Sequence, residues 1–269
     1  MFNKICKFLL LFLLITPIYS LNLISTSINL AQAAYCINPL ENNDNNVLEY
    51  DIDKHSMRAL VGFNKEYNST FVSYRGSENI KNWINNIKIK FTYPYISFPN
   101  VGVELGFYES YQSIYQDVIK AIINTSYKYK TNQIILTGHS LGGISTLLSV
   151  DLKNNYPRYQ ITSLVTFGSP RMGNPEFVKM FRRFNIKSIR VTHYYDIVPH
   201  LPQERFGYQH IPSEIWYNED NTKFIKCNDT EPNSEEDDTC SNSCYPIHCT
   251  SIDDHMNYVN VKMGIDGDC

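Results

Sequence analysis

The chain has 269 residues, a formal net charge of −3, 43% hydrophobic residues and 13% aromatic residues. That length encloses one substantial core, so a single α/β domain accounts for it. The near-neutral charge argues against a nucleic-acid partner, and twenty tyrosines with fourteen phenylalanines exclude a disordered chain.

In chain order, Lys4 and Lys7 precede an apolar run from Phe8 to Ile15, which Pro17 ends. The run is well short of the roughly 20 residues of a membrane span, so residues 1–20 read as a cleaved secretory signal and residues 21–269 as the mature domain. Cleavage after Ser20 is favoured, with Ala31-Gln32-Ala33 a second cleavage-like triplet farther from the apolar core. Losing the signal removes Cys6 and leaves Cys36, Cys227, Cys240, Cys244, Cys249 and Cys269. An even set in an oxidising route points to three disulfides, with connectivity open. Cys240, Cys244, His248 and Cys249 also have the composition of a zinc cluster, but that route favours disulfides and no metal is expected. Asn68, Asn124 and Asn228 head glycosylation triplets.

Met57–Phe63 and Thr70–Tyr74 flank a polar turn and predict a hairpin. Ile80, Trp83, Ile84 and Ile87 then recur at helical spacing, an apolar stripe on a short amphipathic helix between about Glu78 and Lys88. Tyr108, Tyr111, Ile114, Tyr115 and Val118 mark a second helix. The apolar run Gln133–Thr137 predicts a buried strand, and Gly143–Val150 a helix start. Between them lies Gly138-His139-Ser140-Leu141-Gly142, a serine on a tight strand-to-helix turn, the pattern of a nucleophile elbow. Its flanking glycines keep side chains out of the neighbouring elements. Leu164–Phe167 and Ser188–Thr192 are further strands, with a helix over Pro175–Phe181 between them, so the alternation implies a largely parallel sheet covered on both faces. The acidic stretch Asn228–Asp238 reads as a solvated loop.

A nucleophilic serine needs an acid and a base, in the chain order Ser, acid, His. Asp196 closes the strand Arg190–Tyr195, and sites in parallel sheets lie at the strands' carboxyl ends. Of seven histidines, His55 comes too early, His139 turns away from the serine, and His193 precedes the acid. His200 is too near Asp196 to fold back onto it, His210 has apolar neighbours that suit a structural role, and His248 sits among cysteines. His255, in a loop leading to an expected terminal helix, is the best base. The oxyanion of acyl transfer needs preset donors: the amide of Leu141 after the nucleophile, and the loop Arg75-Gly76-Ser77 after an earlier strand.

Taken together, these residues resemble the class 3 lipase family of secreted fungal-type triacylglycerol lipases. The resemblance is carried by Ser73-Tyr74-Arg75-Gly76-Ser77, Asn82-Trp83-Ile84, Thr137 to Gly143, Thr166 to Asn174, Asp196 to Pro202, Glu214 to Tyr217 and Asp254-His255. It implies an α/β-hydrolase fold, Ser140 as nucleophile, Asp196 as orienting acid, His255 as base, and Ser77 with Leu141 as the oxyanion hole. It also implies that the stripe of Ile80, Trp83, Ile84 and Ile87 belongs to a mobile lid, that Cys36 pairs with Cys269 and Cys227 with Cys240, and that Cys244 is left with Cys249. The implied activity is hydrolysis of acylglycerol esters, by a secreted monomer acting without cofactor on lipid at an oil–water or membrane interface. A phospholipase A1-type or feruloyl-type esterase is the alternative within the class, and an inactive lipid-binding protein the alternative outside it. Asn86 stands where relatives often carry an aspartate, which puts in doubt any brace from this position to Ser77.

Overall fold

The computed structural model describes residues 21–264, apart from 42, 232, 233 and 246. Eight strands form one sheet, and β4 (Phe91–Thr92) pairs with β5 (Val103–Glu104) apart from it. β1 (Asn46–Lys54), β2 (Met57–Asn64) and β3 (Ser69–Tyr74) pair antiparallel. From β3 onward the pairing is parallel through β6 (Gln133–His139), β7 (Gln160–Phe167), β8 (Ser188–His193) and β9 (Glu214–Tyr217), and β10 (Phe224–Lys226) closes the edge antiparallel. The expected hairpin is β2–β3, and β1 extends it beyond the sequence reading. The mainly parallel sheet with helices on both faces is the α/β-hydrolase fold.

Two-residue periodicity sorts each strand between the two faces. Val61, Val72, Ile134, Leu136 and Leu164 point into one core, whereas Leu60, Phe71, Ile135, Val165 and Phe167 point to the other side. The first core is covered by α3 (Leu105–Tyr129), which buries Phe107, Tyr111, Ile114, Val118 and Ile122 at helical spacing. α4 (Ser145–Asn155) and α5 (Pro175–Arg183) add to the same core. α5 has a complete set of end signals: Asn174 caps Phe177, proline opens the helix, Glu176 lies in the first turn and Arg182 and Arg183 in the last. The other face is covered by α1, the helical residues 21–33, through Ile24, Ile28, Leu30 and Ala31. Here Ser73 and Thr137 of the sheet donate hydroxyl hydrogens to the carbonyls of Leu30 and Ser27, at 2.7 and 3.2 Å. The proposed signal, residues 1–20, lies outside the described residues.

Two expectations are corrected. No terminal helix follows His255 among the described residues; β11 (Asn257–Tyr258) and β12 (Val261–Lys262) form a small hairpin instead. The acidic stretch is only partly solvated. Glu236 turns inward onto Arg171, two hydrogen bonds of 2.7 and 2.8 Å pairing their buried charges, and Asp229 accepts the amides of Ser213 and Glu214. Cys227 pairs with Cys240 and Cys244 with Cys249. The three cysteines that were candidate zinc ligands, Cys240, Cys244 and Cys249, are therefore all used in disulfides. The expected partner of Cys36, Cys269, lies outside the described residues.

Candidate active site

β6 delivers Ser140 to the carboxyl end of the sheet's centre, and the backbone there turns left-handed, with φ +58° at Ser140. A non-glycine residue in that region is strained and persists only where its surroundings enforce it. The glycines explain how. A β-carbon on Gly138 would lie 2.1 Å from the carbonyl oxygen of Gly142, and one on Gly142 would lie 2.2 Å from that of Tyr74. Both approaches are to backbone that cannot yield. Ser140 is 1% exposed, and its Oγ has no hydrogen-bond partner among the described residues.

Asp196 and His255, 59 positions apart in sequence, meet each other. His255 Nδ1 donates to Asp196 Oδ2 at 2.9 Å, with both residues buried. The donor on Nδ1 leaves Nε2 as the lone-pair nitrogen, and that buried atom has no hydrogen-bond partner among the described residues. Asp196 is fixed by three donors: His255, the amide of Val198 on Oδ1 at 2.8 Å, and the hydroxyl of Tyr258 on Oδ2. A backbone bridge between Asp196 and Ser251 stitches the histidine loop to the end of β8, and a ring N–H of His193 donates to the carbonyl of Asp254 at 2.9 Å. Gly168 completes the fit. Its φ is +54°, and a β-carbon there would come within 2.9 Å of Asp196 Oδ2, His255 Nδ1 and the Tyr258 hydroxyl alike.

His139 turns from the serine as expected, but its ring lies 4.5 Å from that of His255, centroid to centroid. Burial, reinforced by the nearby His255, holds its pKa well below the usual histidine value, so the ring is neutral. Its Nε2–H must then donate to the carbonyl of His255 at 2.8 Å, and Nδ1 accepts the Tyr35 hydroxyl at 2.7 Å. The same hydroxyl accepts the amide of Gly76 at 3.1 Å. A chain of hydrogen bonds thus runs from the loop of Ser77, through Tyr35 and His139, to the backbone of His255. Sequence reasoning missed Tyr35, Gly168 and Tyr258 as supports, because each reaches the site across a long stretch of chain. His210 is buried against the carbonyl of Pro199, as a structural histidine should be.

α2 (Ile80–Asn86) follows Ser77, with Asn79 capping the amide of Asn82 at 3.0 Å. Its burial matches the expected stripe: Ile80, Trp83, Ile84 and Ile87 are half-buried, whereas Lys81, Asn82, Asn85, Asn86 and Lys88 are exposed. Trp83 stacks on Phe107 with centroids 5.8 Å apart. Ser77, Leu141, Trp83, Ile87 and Glu104 line one cavity of about 310 Å³. The brace from Asn86 to Ser77 is not formed; the amide of Asn86 donates to the carbonyl of Asn82, and the Ser77 hydroxyl faces that of Asn79 at 3.4 Å. Arg75 holds this loop in place, its guanidinium 2.9 Å from Glu78.

Residues 71–206, half of the chain, match the family model for lipase (class 3). A lipase from Rhizomucor miehei is 30% identical over 220 residues, 78% of this chain and 57% of that protein. A secreted mono- and diacylglycerol lipase from Fusarium solani is 34% identical over 166 residues, 61% of this chain and 48% of its own. The chain thus spans about half the length of the curated relatives it matches. The solved structure of lipase II from Rhizopus niveus superposes with a TM-score of 0.81 at 26% identity, covering 90% of this chain and 95% of that one. By sequence model, relatives and fold together, the chain belongs to the class 3 lipase family.

Proposed function

We propose that this protein is a secreted serine esterase that hydrolyses carboxylic ester bonds of acylglycerols through an acyl-enzyme on Ser140. One observation carries the reading: a strained elbow carries a serine hydroxyl, and a histidine has its Nδ1 held by a buried aspartate, while the serine Oγ and the histidine Nε2 have no hydrogen-bond partner among the described residues. As Ser140 Oγ attacks the acyl carbonyl, His255 Nε2 takes its proton. Asp196 keeps the imidazole in that tautomer and balances the positive charge that forms. The carbonyl oxygen becomes an oxyanion facing the amides of Leu141 and Ser77, where one such donor is worth about 3 kcal/mol of barrier. Collapse breaks the ester bond, and His255 returns the proton to the departing alkoxide. Water then attacks the acyl-serine as His255 takes its proton, the acyl–Oγ bond breaks with His255 returning that proton to Ser140, and the free acid leaves.

The Asn-Trp-Ile helix acts as the lid. Closed, it turns Ile80, Trp83, Ile84 and Ile87 inward over the cavity, and at a lipid surface the stripe turns outward and buries against acyl chains. A lipid surface binds only the open form, which is the differential affinity a population shift requires. Secretion rests on residues 1–20 as the signal. Cleavage after Ser20 leaves α1 in place, whereas cleavage after Ala33 would strip a helix whose residues are core. The decisive experiment is Ser140→Ala. Hydrolysis of a soluble short-chain ester and covalent labelling by an organophosphonate should vanish together while the protein stays folded. Labelling that persists, or maps to another serine, overturns the assignment.

A further inference from the structure

A second cavity lies at the edge of the sheet. It has a volume of about 510 Å³, within the range of small-ligand sites, and among the described residues it shares none of its lining with the cavity of Ser77 and Leu141. Its walls come from two places: Tyr194 and Tyr195 follow β8, and Trp216, Phe224 and Ile225 belong to β9 and β10. The rings of Tyr194 and Tyr195 stack with centroids 3.9 Å apart, and Nε1 of Trp216 donates to the carbonyl of Tyr194 at 3.1 Å. The single donor of the indole is thereby satisfied, so Trp216 offers the cavity an apolar ring. Tyr194 has φ +35°, a strained place for a bulky side chain, and such strain gathers at binding sites. Phe224 and Ile225 line the same cavity and are still 37% and 55% exposed. An aromatic slot left open to water in this way marks a ligand groove.

The polar groups around the slot select the ligand. Lys223 also lines it, and its ammonium has no ion pair or hydrogen bond among the described residues. No carboxylate is among the described lining residues. Glu219 and Asp254 are felt at Tyr194 from outside that lining, and Asp220 is engaged by the hydroxyl of Thr222 at 2.6 Å. The lining amide, Asn218, already accepts the backbone N–H groups of Thr222 and Lys223, so the hydroxyls of a sugar would find few partners. An apolar chain with an anionic end matches the set: the chain buries against the rings and the anion pairs with Lys223. We propose that this cavity binds a single-chain carboxylate, the free fatty acid that ester hydrolysis releases. The source of that acid rests on the esterase reading above, whereas the binding does not. The cavity adjoins the triad loops, since Tyr195 precedes Asp196 and its carbonyl accepts the amide of Ser251 at 3.0 Å.

Trp83 and Trp216 are the two tryptophans of the chain, so in a Ser140→Ala, Trp83→Phe protein the indole fluorescence reports this cavity alone. Titration with monomeric octanoate, decanoate and dodecanoate should shift it saturably, with affinity rising about fourfold for each methylene buried. Lys223→Glu should weaken octanoate relative to 1-octanol by about three- to fivefold, the worth of an exposed ion pair. Ile225→Asp, an exposed position where the change sets a carboxylate in the lining, should abolish the response to octanoate. If the Trp83→Phe protein does not fold, calorimetry on Ser140→Ala decides: the octanoate stoichiometry should fall by one site in Ile225→Asp, and an unchanged stoichiometry overturns the proposal. The proposal is also overturned by no saturable response, by equal affinity for all three acids, or by an octanoate preference unmoved in Lys223→Glu. A response to phosphatidylcholine vesicles without one to monomeric acids overturns it too, and marks the patch as a membrane contact. Failure of the unaltered protein to take an organophosphonate label on Ser140 is a different result, which sinks the esterase reading and leaves the binding result standing by itself.

Discussion

Replacing Gly168 by alanine separates the cost of backbone strain from the cost of displacing the groups proposed as catalytic. The position has φ +54°, which an alanine adopts at a cost of about 1–2 kcal/mol. In a domain of this size that lowers Tm by about 2–8 °C. The added β-carbon has three nearest atoms, all belonging to side chains. It meets the tips of three side chains at 2.9 Å: Asp196 Oδ2, His255 Nδ1 and the Tyr258 hydroxyl. Those tips must yield by several tenths of an ångström, and they are the atoms that orient the base. Misplacement on the order of 1 Å costs about a hundredfold in rate, so kcat on a soluble short ester should fall by about ten- to a hundredfold. Gly207→Ala is the control. Gly207 also has a positive φ, +84°, but its β-carbon would find only Phe91 at 3.8 Å, in ordinary contact. It should lose comparable stability and keep its kcat. The reasoning is refuted if Gly168→Ala retains kcat within threefold, or if both variants lose kcat alike.

Asp196→Asn and His255→Ala should each lower kcat by about three to four orders of magnitude with little change in Tm; if His210→Ala were the inactivating change instead, the base is misassigned. Glu236→Gln should destabilise the fold, by less than the cost of about 3–5 kcal/mol for an unpaired buried charge, because Glu204 still faces the buried Arg171 at 2.8 Å. Burial alone would raise the carboxyl of Glu236, but the Arg171 guanidinium holds it well below its ordinary 4.5. A carboxyl depressed on folding contributes stability above its unfolded value and loses it as pH falls. Denaturant titrations of the unaltered protein should therefore show stability declining below about pH 4.5, and Glu236→Gln should show a shallower acid limb. Activity should jump when substrate exceeds its solubility limit, and Trp83→Ser should blunt that jump while sparing soluble esters; a smooth saturation curve, unchanged in the variant, means that α2 is static.

The parts legible in the sequence are those whose cause is local. The elbow glycines, the β2–β3 hairpin, the end signals of α5 and the stripe of α2 are each written within one short stretch of chain, because turn sterics, capping and amphipathicity act at that range. The choice of Asp196 and His255 needed one further rule, the chain order of acid and base on a parallel sheet, and the 2.9 Å hydrogen bond between them accords with it. Local signals misled at two places. Residues after His255 become a hairpin because Tyr258 must reach Asp196, and Glu236 leaves the solvent because Arg171 lies buried and needs a counter-charge.

What the sequence by itself determined is the candidate inventory of the site and the strand and helix that present Ser140. Only the tertiary structure decided how the inventory is held. The link from Gly76 through Tyr35 and His139 to His255 joins residues more than a hundred positions apart, and the room that Gly168 leaves exists only once three loops converge. Such contacts have no short-range period or spacing to announce them. They follow from which side chains the packed sheet brings within hydrogen-bond range, and that is a property of the whole fold.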